Sequence, residues 1–391
     1  MPDAPAMRYF SDSLTTSSLT NLELGICPLL GDDGIIAVSE VVQRNVSLTR
    51  LDCSMTKCSE VGMEALLRSL DRHTSLISWA YSEMEGTLEG EVLLELVAGV
   101  VRRNKGLKSL VSRSLSPASC QALHESGSNL VRFFTTGSWP GRDGAAFICK
   151  TITAPQFRFL IDGGRIGCLT RPVRHQPRSK QSISDLLAVA KDGGFQLNEN
   201  LMNISLMEND LSKKEDVDNL TAFAANCTSL SLLSLRASAI TSEGGGSIGR
   251  IVNANCHSLV TLDLSWNKLT AVWAEESLAP VLPHCHKLKE LNLSHNDLEE
   301  RGFVSVCNSA VEGATSLTMI DISRNGVVPI IQSGNRSVIE AVMKLQCLTM
   351  LRTLKFLDFH WSEASTDRLS RSLAAIDPSF EIQETHVTRG N

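Results

Sequence analysis

The chain has 391 residues, 42% of them hydrophobic and 20% charged, with a formal net charge of -6. That length supplies ample apolar material for a core, and the acidic balance argues against nucleic acid or an anionic membrane as a partner of the surface as a whole. The 11 cysteines, an odd number without short paired spacings, and the lack of an apolar leader before the first periodic segment point to a reduced intracellular compartment.

Residues 1–17 carry Asp3, Asp12 and Arg8, too acidic for a mitochondrial transit peptide, and read as an N-terminal tail and cap. Apolar groups then recur: Leu19/Leu22/Leu24, Leu48/Leu51/Cys53, Leu76/Trp79/Tyr81, Leu107/Leu110, Leu130/Phe133 and Phe157/Leu160. The pattern sharpens at Leu201/Ile204/Leu206 and repeats every 29 residues at Leu230/Leu233/Leu235, LVTLDLSWNKLT (259–270), LKELNLSHNDLE (288–299) and Leu317/Ile320/Ile322. A last group at Leu354/Leu357/Phe359 brings the total to about twelve.

Within one group the apolar residues alternate, as in a strand with one side buried. Three places on stands Asn209, Ser238, Asn267, Asn296 or Asn325, a residue type that bonds its own backbone in a turn and ends the strand. A helical segment follows, as at 61–76, where Met63, Leu66, Leu67 and Leu70 share a face. The apolar run VLLELVAGVV (92–101) is too short to span a bilayer and contains Glu95. One strand and one helix per unit make a solenoid whose neighbours bury each other's apolar faces.

Two stretches depart from the spacing. Between Leu160 and Leu201 an insertion at 163–181 carries Arg165, Arg171, Arg174, Arg178 and Lys180 with no acidic residue, and reads either as a solvated loop or as a docking arm for an acidic partner. Its GGRIG opening lacks the strand, Lys and helix of a phosphate loop. Beyond it, Ser182 and Asp185 read as a capping pair and Gly193 as the stop of a helix. The segment NGVVPIIQSGNRS lengthens a later unit before a helix near Ser337, and 362–391 reads as a C-terminal cap and tail.

This pattern resembles the leucine-rich repeat family, in particular its ribonuclease-inhibitor-like subtype with long helical repeats of 28–29 residues. The resemblance covers nearly the whole chain and is most specific over 201–325. It implies an α/β fold, a single curved horseshoe solenoid over 1–391 with parallel strands on the concave face and helices on the convex face. In the first six units the Asn place holds Cys27, an accepted substitute, and then Thr56, Met84, Leu115, Ser138 and Arg165, which put those turns in question.

Chemistry is sparse. Cys227, Cys256 and Cys285 stand in column, flanked by His257, His284 and His286, but cysteine at a helix end is ordinarily a small buried residue, and no CxxC or HExxH accompanies them. No nucleophile elbow is present, and Glu275-Glu276 and Glu299-Glu300 read as solvated charge. No catalytic residue, metal site or cofactor is expected.

The strand residues between the buried ones face the open side. They run from Asn21 and Glu23, Arg50 and Asp52, Ser78 and Ala80, through an apolar middle at Val111, Phe134, Phe159, Ile161 and Leu232, to an acidic end with Asp263, Glu290, Asp321 and finally Phe356 and Asp358. Trp266, His295 and Arg324 share one position beyond the strands, a mixture typical of interaction hot spots. The expected function is a non-catalytic scaffold within a multi-subunit intracellular assembly. Similar repeat proteins are subunits of the ciliary axoneme, which implies a cytoskeletal or ciliary setting, with acidic tubulin tails as a partner for the basic insertion. A regulator of a small GTPase resembling the Ran GTPase-activating protein, and a ribonucleoprotein subunit using the basic insertion, are the alternatives.

Overall fold

The computed structural model describes residues 19–81 apart from 26, 28, 46 and 55, then 91–112, 117–125, 130–135, 141–162, 183–326 and 336–355. The tail at 1–17, the basic insertion at 163–181 and the C-terminal cap at 362–391 therefore lie outside the described residues. The chain forms two compact units, Met1–Asn198 and Glu199–Asn391.

In the first unit six strands run parallel in chain order: β1 (Asn21–Glu23), β2 (Arg50–Asp52), β3 (Ser78–Tyr81), β4 (Ser109–Ser112), β5 (Arg132–Thr135) and β6 (Phe159–Asp162). Each is followed by a helix: α1 (Gly31–Arg44), α2 (Glu60–Ser69), α3 (Glu91–Arg103), α4 (Pro117–Glu125), α5 (Gly141–Ile152) and α6 (Ser184–Asp192). The alternation works as read: Leu22, Leu51, Trp79, Leu110, Phe133 and Leu160 are buried in register with one another. On α2, Met63, Leu66 and Leu67 are buried beneath the strands' inner side chains. The helices are stitched together as well. Asp32 of α1 accepts from the Ser59 N–H (2.6 Å), the Ser59 hydroxyl (2.7 Å) and the Gly62 N–H (3.2 Å), so a carboxylate of one repeat satisfies the exposed amides at the start of the next helix.

The second unit repeats the plan with β7 (Asn203–Leu206), β8 (Leu232–Ser234), β9 (Thr261–Asp263), β10 (Glu290–Asn292), β11 (Met319–Asp321) and β12 (Thr353–Lys355). Its helices are α7 (Lys214–Phe223), α8 (Ser242–Ala254), the short α9 (Ala271–Trp273) continuing into a π-turn at Ala274–Leu278, α10 (Glu299–Gly313) and α11 (Arg336–Lys344). Both units show the α/β leucine-rich-repeat solenoid, parallel strands alternating with helices.

The asparagines do more than end strands. Asn267 donates through Nδ2 to the carbonyls of Leu264 (2.9 Å) and of Leu235 in the preceding repeat (2.9 Å), and its Oδ1 accepts from the Ser238 (3.1 Å) and Ile240 (3.0 Å) amides. Asn296 and Asn325 each repeat this reach into the repeat before, to Leu264 and Leu293. Ser238 substitutes by donating to the Leu206 carbonyl. In the first unit the Thr56 hydroxyl donates to the Cys53 carbonyl at 3.0 Å and lies 3.7 Å from the Cys58 sulfur, so a threonine bonds one backbone group of that turn where asparagine bonds several. Cys27 lies 3.8 Å from the Gly25 carbonyl. The places of Met84, Leu115, Ser138 and Arg165 lie outside the described residues.

Two expectations are corrected. The last repeat is displaced by three residues: β12 pairs Met319 with Thr353 and Ile320 with Leu354, so Leu351 rather than Leu354 occupies the place of Leu317. The cause is that Leu351, Leu354 and Phe356 satisfy the same apolar alternation as Leu354, Leu357 and Phe359, and the backbone bonds of Arg352 and Thr353 to the Thr318 carbonyl decide between them. The open-face residues of this strand are therefore Thr353 and Lys355, not Phe356 and Asp358, both of which lie outside the described residues. The residue preceding α6 is Ile183, with no side-chain cap, rather than Ser182. Gly193 stands as the C-cap of α6 as read, and the next residue, Gly194, is left-handed (φ 63°) and lets the Phe195 amide reach back to the Ala190 carbonyl at 2.8 Å.

Candidate partner-binding surface

Strand register assembles the open-face residues into rows within each unit. In the first unit, Glu23, Asp52, Ala80, Val111, Phe134 and Ile161 form one row, and Asn21, Arg50, Ser78, Ser109, Arg132 and Phe159 the other. The backbone thus brings Val111, Phe134 and Ile161 side by side at one end of a row whose other end is acidic. Val111 and Phe159 are half-buried, Arg132 is exposed, and Ala80 is buried. Leu232 is half-buried and belongs to the second unit.

In the second unit the rows are Asn203, Leu232, Thr261, Glu290, Met319 and Thr353, and Ser205, Ser234, Asp263, Asn292, Asp321 and Lys355. Glu290 is exposed and accepts from the Thr261 hydroxyl at 3.3 Å. Asp263 and Asp321 are half-buried and partly committed to their own turns. Asp263 accepts from the Ser265 amide (3.0 Å) and hydroxyl (2.6 Å), and Asp321 from the Ser323 amide (3.1 Å). Burial raises the Asp263 carboxyl above the usual range. The Ser265 bonds and the Arg236 charge oppose that rise and Asp321 adds to it. Lys355 stands beside Asp321 in the row, so the acidic end read from sequence is less acidic than expected.

Beyond the strands lies a column of left-handed residues. Glu208, Ala237, Trp266, His295 and Arg324 have φ of 59°, 53°, 58°, 56° and 55° and occupy one position in five successive repeats. The amides of Glu208, Ala237, Trp266 and His295 donate to the carbonyls of Arg236, Ser265, Ser294 and Ser323 in the next repeat, and these bonds hold a conformation that costs an L-residue roughly 1–2 kcal/mol. Trp266 and His295 stack, with ring centroids 3.5 Å apart and 16° between planes. Glu208 and Arg324 are exposed, and the two rings are half-buried. The sequence brought out Trp266, His295 and Arg324. It gave no hint of Glu208 and Ala237, because five unrelated residue types share nothing but the 29-residue interval.

The cysteine column is packed inside. Cys227, Cys256 and Cys285 are buried, and burial pushes the Cys227 and Cys285 thiols up to about 12. His257, His284 and His286 are exposed, and His286 Nδ1 lies 2.9 Å from the Gly313 carbonyl. Among the described residues no cluster of His, Cys, Asp or Glu is arranged to hold a metal ion, and no helix is long and apolar enough to cross a membrane. Arg165, Arg171, Arg174, Arg178 and Lys180 lie outside the described residues.

Sequence reading also missed a second set of asparagines. Asn104 and Asn255, both buried at helix ends, accept from the amides of Leu76 (3.0 Å) and Leu230 (2.9 Å) while donating to carbonyls of their own helices. They stand three and four residues before a repeat leucine, out of phase with one another, and so left no periodic signal.

No curated protein sequence matches the chain. In fold it is similar to an internalin (InlF) of Listeria monocytogenes, with 13% identity over 99% of this chain and 95% of that one and a TM-score of 0.47. It is also similar to TLR13 in a complex with ssRNA13, with 14% identity over 81% of this chain and 47% of that one and a TM-score of 0.42. Residues 255–272 and 284–307 match the leucine-rich repeat family model, and the same succession of strand, turn and helix recurs through both units.

Proposed function

We propose that the chain is a non-catalytic protein-binding scaffold, a run of ribonuclease-inhibitor-like repeats over 1–391 with caps at 1–17 and 362–391, that holds a protein partner across the open-face rows and the left-handed column of residues 199–326. The observation that carries this reading is the Trp266–His295 stack, a partly exposed aromatic pair in a column that also holds the exposed Glu208 and Arg324. Aromatic and arginine side chains with a polar surround are the composition of an interaction hot spot. Val111, Phe134, Phe159 and Ile161 of the first unit and Leu232 of the second are assigned as further contact residues, and Asp263 and Asp321 as acidic contacts of the second unit. Arg165, Arg171, Arg174, Arg178 and Lys180 are assigned to an acidic partner such as a tubulin tail, in a cytoplasmic assembly of the ciliary axoneme type.

Crosslinking mass spectrometry on native cells tests this. The wild-type chain should give reproducible crosslinks to a small set of neighbours, and the Trp266→Ala/His295→Ala variant should lose those mapping to residues 199–326 while remaining folded. Undiminished crosslinks in the variant would remove the column from the interface. Stimulation of GTP hydrolysis by catalytic amounts of protein would overturn the scaffold reading itself.

A further inference from the structure

The entry side of strands β2 to β5 carries cationic side chains that pair with no carboxylate among the described residues, and we propose that this rim of the first unit binds a short acidic segment of a protein partner. The surface is separate from the left-handed column, so the contact goes beyond the scaffold reading given for residues 199–326.

The rim is built by strand register. The Thr49 carbonyl accepts from the Ile77 and Ser78 amides, the Ile77 carbonyl from Lys108 and Ser109, and the Lys108 carbonyl from Val131 and Arg132, all within 3.1 Å. These bonds set Arg50, Ile77, Lys108 and Arg132 at the starts of four successive strands, about 4.8 Å per step and about 14 Å from β2 to β5. Arg50, Lys108 and Arg132 are exposed, as is Lys105 in the turn leading into β4, and Ile77 is 41% exposed.

Cations are ordinary at the C-terminal ends of helices, where they complement the dipole, and Arg102 and Arg103 of α3 stand there. Those two are also paired, with Glu95 (2.8 Å) and Asp71 (2.8 Å). Lys105, Lys108, Arg50 and Arg132 lie beyond the helices and make no ion pair among the described residues. In the turns that lead into these strands the acidic side chains are Asp71, held by Arg103, and Glu125, which accepts from Gln121 at 2.5 Å. On a chain of net charge -6, the rim is a local reversal of sign.

The limits of the rim define what fits it. Glu23 and Asp52 occupy the adjoining row at β1 and β2, so a long polyanion such as RNA meets repulsion where a short acidic stretch does not. About 14 Å is the length of roughly four residues of extended chain. Ile77 stands between Arg50 and Lys108 and offers an aliphatic contact, so the segment that fits carries an aliphatic side chain among its carboxylates. Arginine takes such a carboxylate in a bidentate fork and lysine as a point charge.

The test uses the full chain and the acetylated peptide Glu-Glu-Leu-Glu-Glu-Gly, labelled at its C-terminus with an uncharged fluorophore and followed by fluorescence anisotropy. Its glutamine counterpart should not bind. Affinity for the acidic probe should fall about threefold or more as ionic strength rises from about 0.05 M to 0.2 M. Lys105→Gln/Lys108→Gln/Arg132→Gln should weaken the probe about tenfold, as three exposed ion pairs acting together give, and Ile77→Ser about threefold. All of these sites are exposed, so the variants should unfold at the wild-type temperature. Lys105→Glu/Lys108→Glu/Arg132→Glu should bind the lysine counterpart of the probe instead. Glutamine at Arg165, Arg171, Arg174, Arg178 and Lys180 should leave binding of the acidic probe unchanged.

Full affinity in the triple glutamine variant, or loss of binding only when residues 165–180 are neutralised, would overturn the proposal. So would tighter binding of a uridine hexanucleotide at the same ionic strength, which would make the rim a nucleic-acid surface. No probe binding, with native crosslinks to residues 199–326 intact, would remove the rim contact and leave the scaffold reading standing.

Discussion

Trp266 and His295 stack face to face across the 29-residue repeat interval, each from a left-handed backbone position that few side-chain-bearing residues adopt. The contact is therefore set by the solenoid rather than by local sequence: the amides of both residues are bonded to the next repeat, which fixes both backbones. A double-mutant cycle through Trp266→Ala and His295→Ala should give a coupling of about 0.5–1.5 kcal/mol in urea unfolding. Near-ultraviolet circular dichroism should lose a band in His295→Ala. Additive single effects would show that the rings touch without supporting each other.

Asn267 is the best-satisfied side chain of the ladder, bonded to Leu235, Leu264, Ser238 and Ile240 within 3.1 Å. Truncation to alanine leaves buried carbonyls and amides of two repeats without partners, each worth roughly 1–3 kcal/mol when stranded. Asn267→Ala should lower stability by about 3 kcal/mol or more. By the same physics Thr56→Ala, which strands the single carbonyl of Cys53, should cost about 1 kcal/mol. Equal losses from the two substitutions would count against the ladder as the source of the difference.

These two positions also show how far the sequence could be read. The 29-residue interval and the apolar alternation are direct consequences of strand pairing, so the strand positions from Asn21 to Asp321 could be placed from the sequence alone. The reach of Asn267 into the preceding repeat could not, because hydrogen bonding between repeats leaves no trace in a pattern of residue types. Nor could the register of the final strand. With Leu351, Leu354, Leu357 and both Phe356 and Phe359 in one stretch, two alternations three residues apart bury equally apolar sets, and backbone bonds to Thr318 make the choice.

The glycine run of α8 was equally silent in sequence, and its members have opposite roles. A Cβ on Gly245 would overlap the indole of Trp273, reaching within 2.8 Å of Nε1, whereas a Cβ on Gly246 meets nothing nearer than the Ser277 hydroxyl at 3.9 Å. Trp273 is buried and cannot retreat without opening the adjoining π-turn. Gly245→Ala should therefore destabilise by about 1–3 kcal/mol. Gly246→Ala gains helix propensity at no steric cost and should stabilise by about 0.5–1 kcal/mol. Thermal unfolding of the two variants decides the matter, and a stabilised Gly245→Ala would show that the α8 backbone can move away from Trp273.

Asp263 gives the open face a pH dependence of definite sign. Its carboxyl is raised above the usual range, chiefly because burial penalises the charged form. A carboxyl with a folded-state value above its unfolded one binds its proton more tightly when folded, so its contribution is most favourable in acid and is lost as pH rises through the raised value. Asp210 opposes it: the Ser212 bonds lower its carboxyl, and that stabilisation is present above the ordinary carboxylate range and lost as pH falls through the lowered value. Asparagine in place of Asp263 removes the titration while keeping the turn, as the neighbouring repeat demonstrates. There, Asn292 Oδ1 accepts from the Ser294 amide (3.1 Å) and hydroxyl (2.8 Å), the same two donors that Asp263 uses. Asp263→Asn should therefore be as stable as the wild type or more so at pH 7. Its advantage should shrink as pH falls through the carboxylate range, where the wild-type side chain becomes neutral as well. Urea midpoints of the two proteins between about pH 4 and 8 measure this. An advantage that grows towards acid would mean that the Ser265 and Arg236 interactions outweigh burial and that the carboxyl is lowered instead.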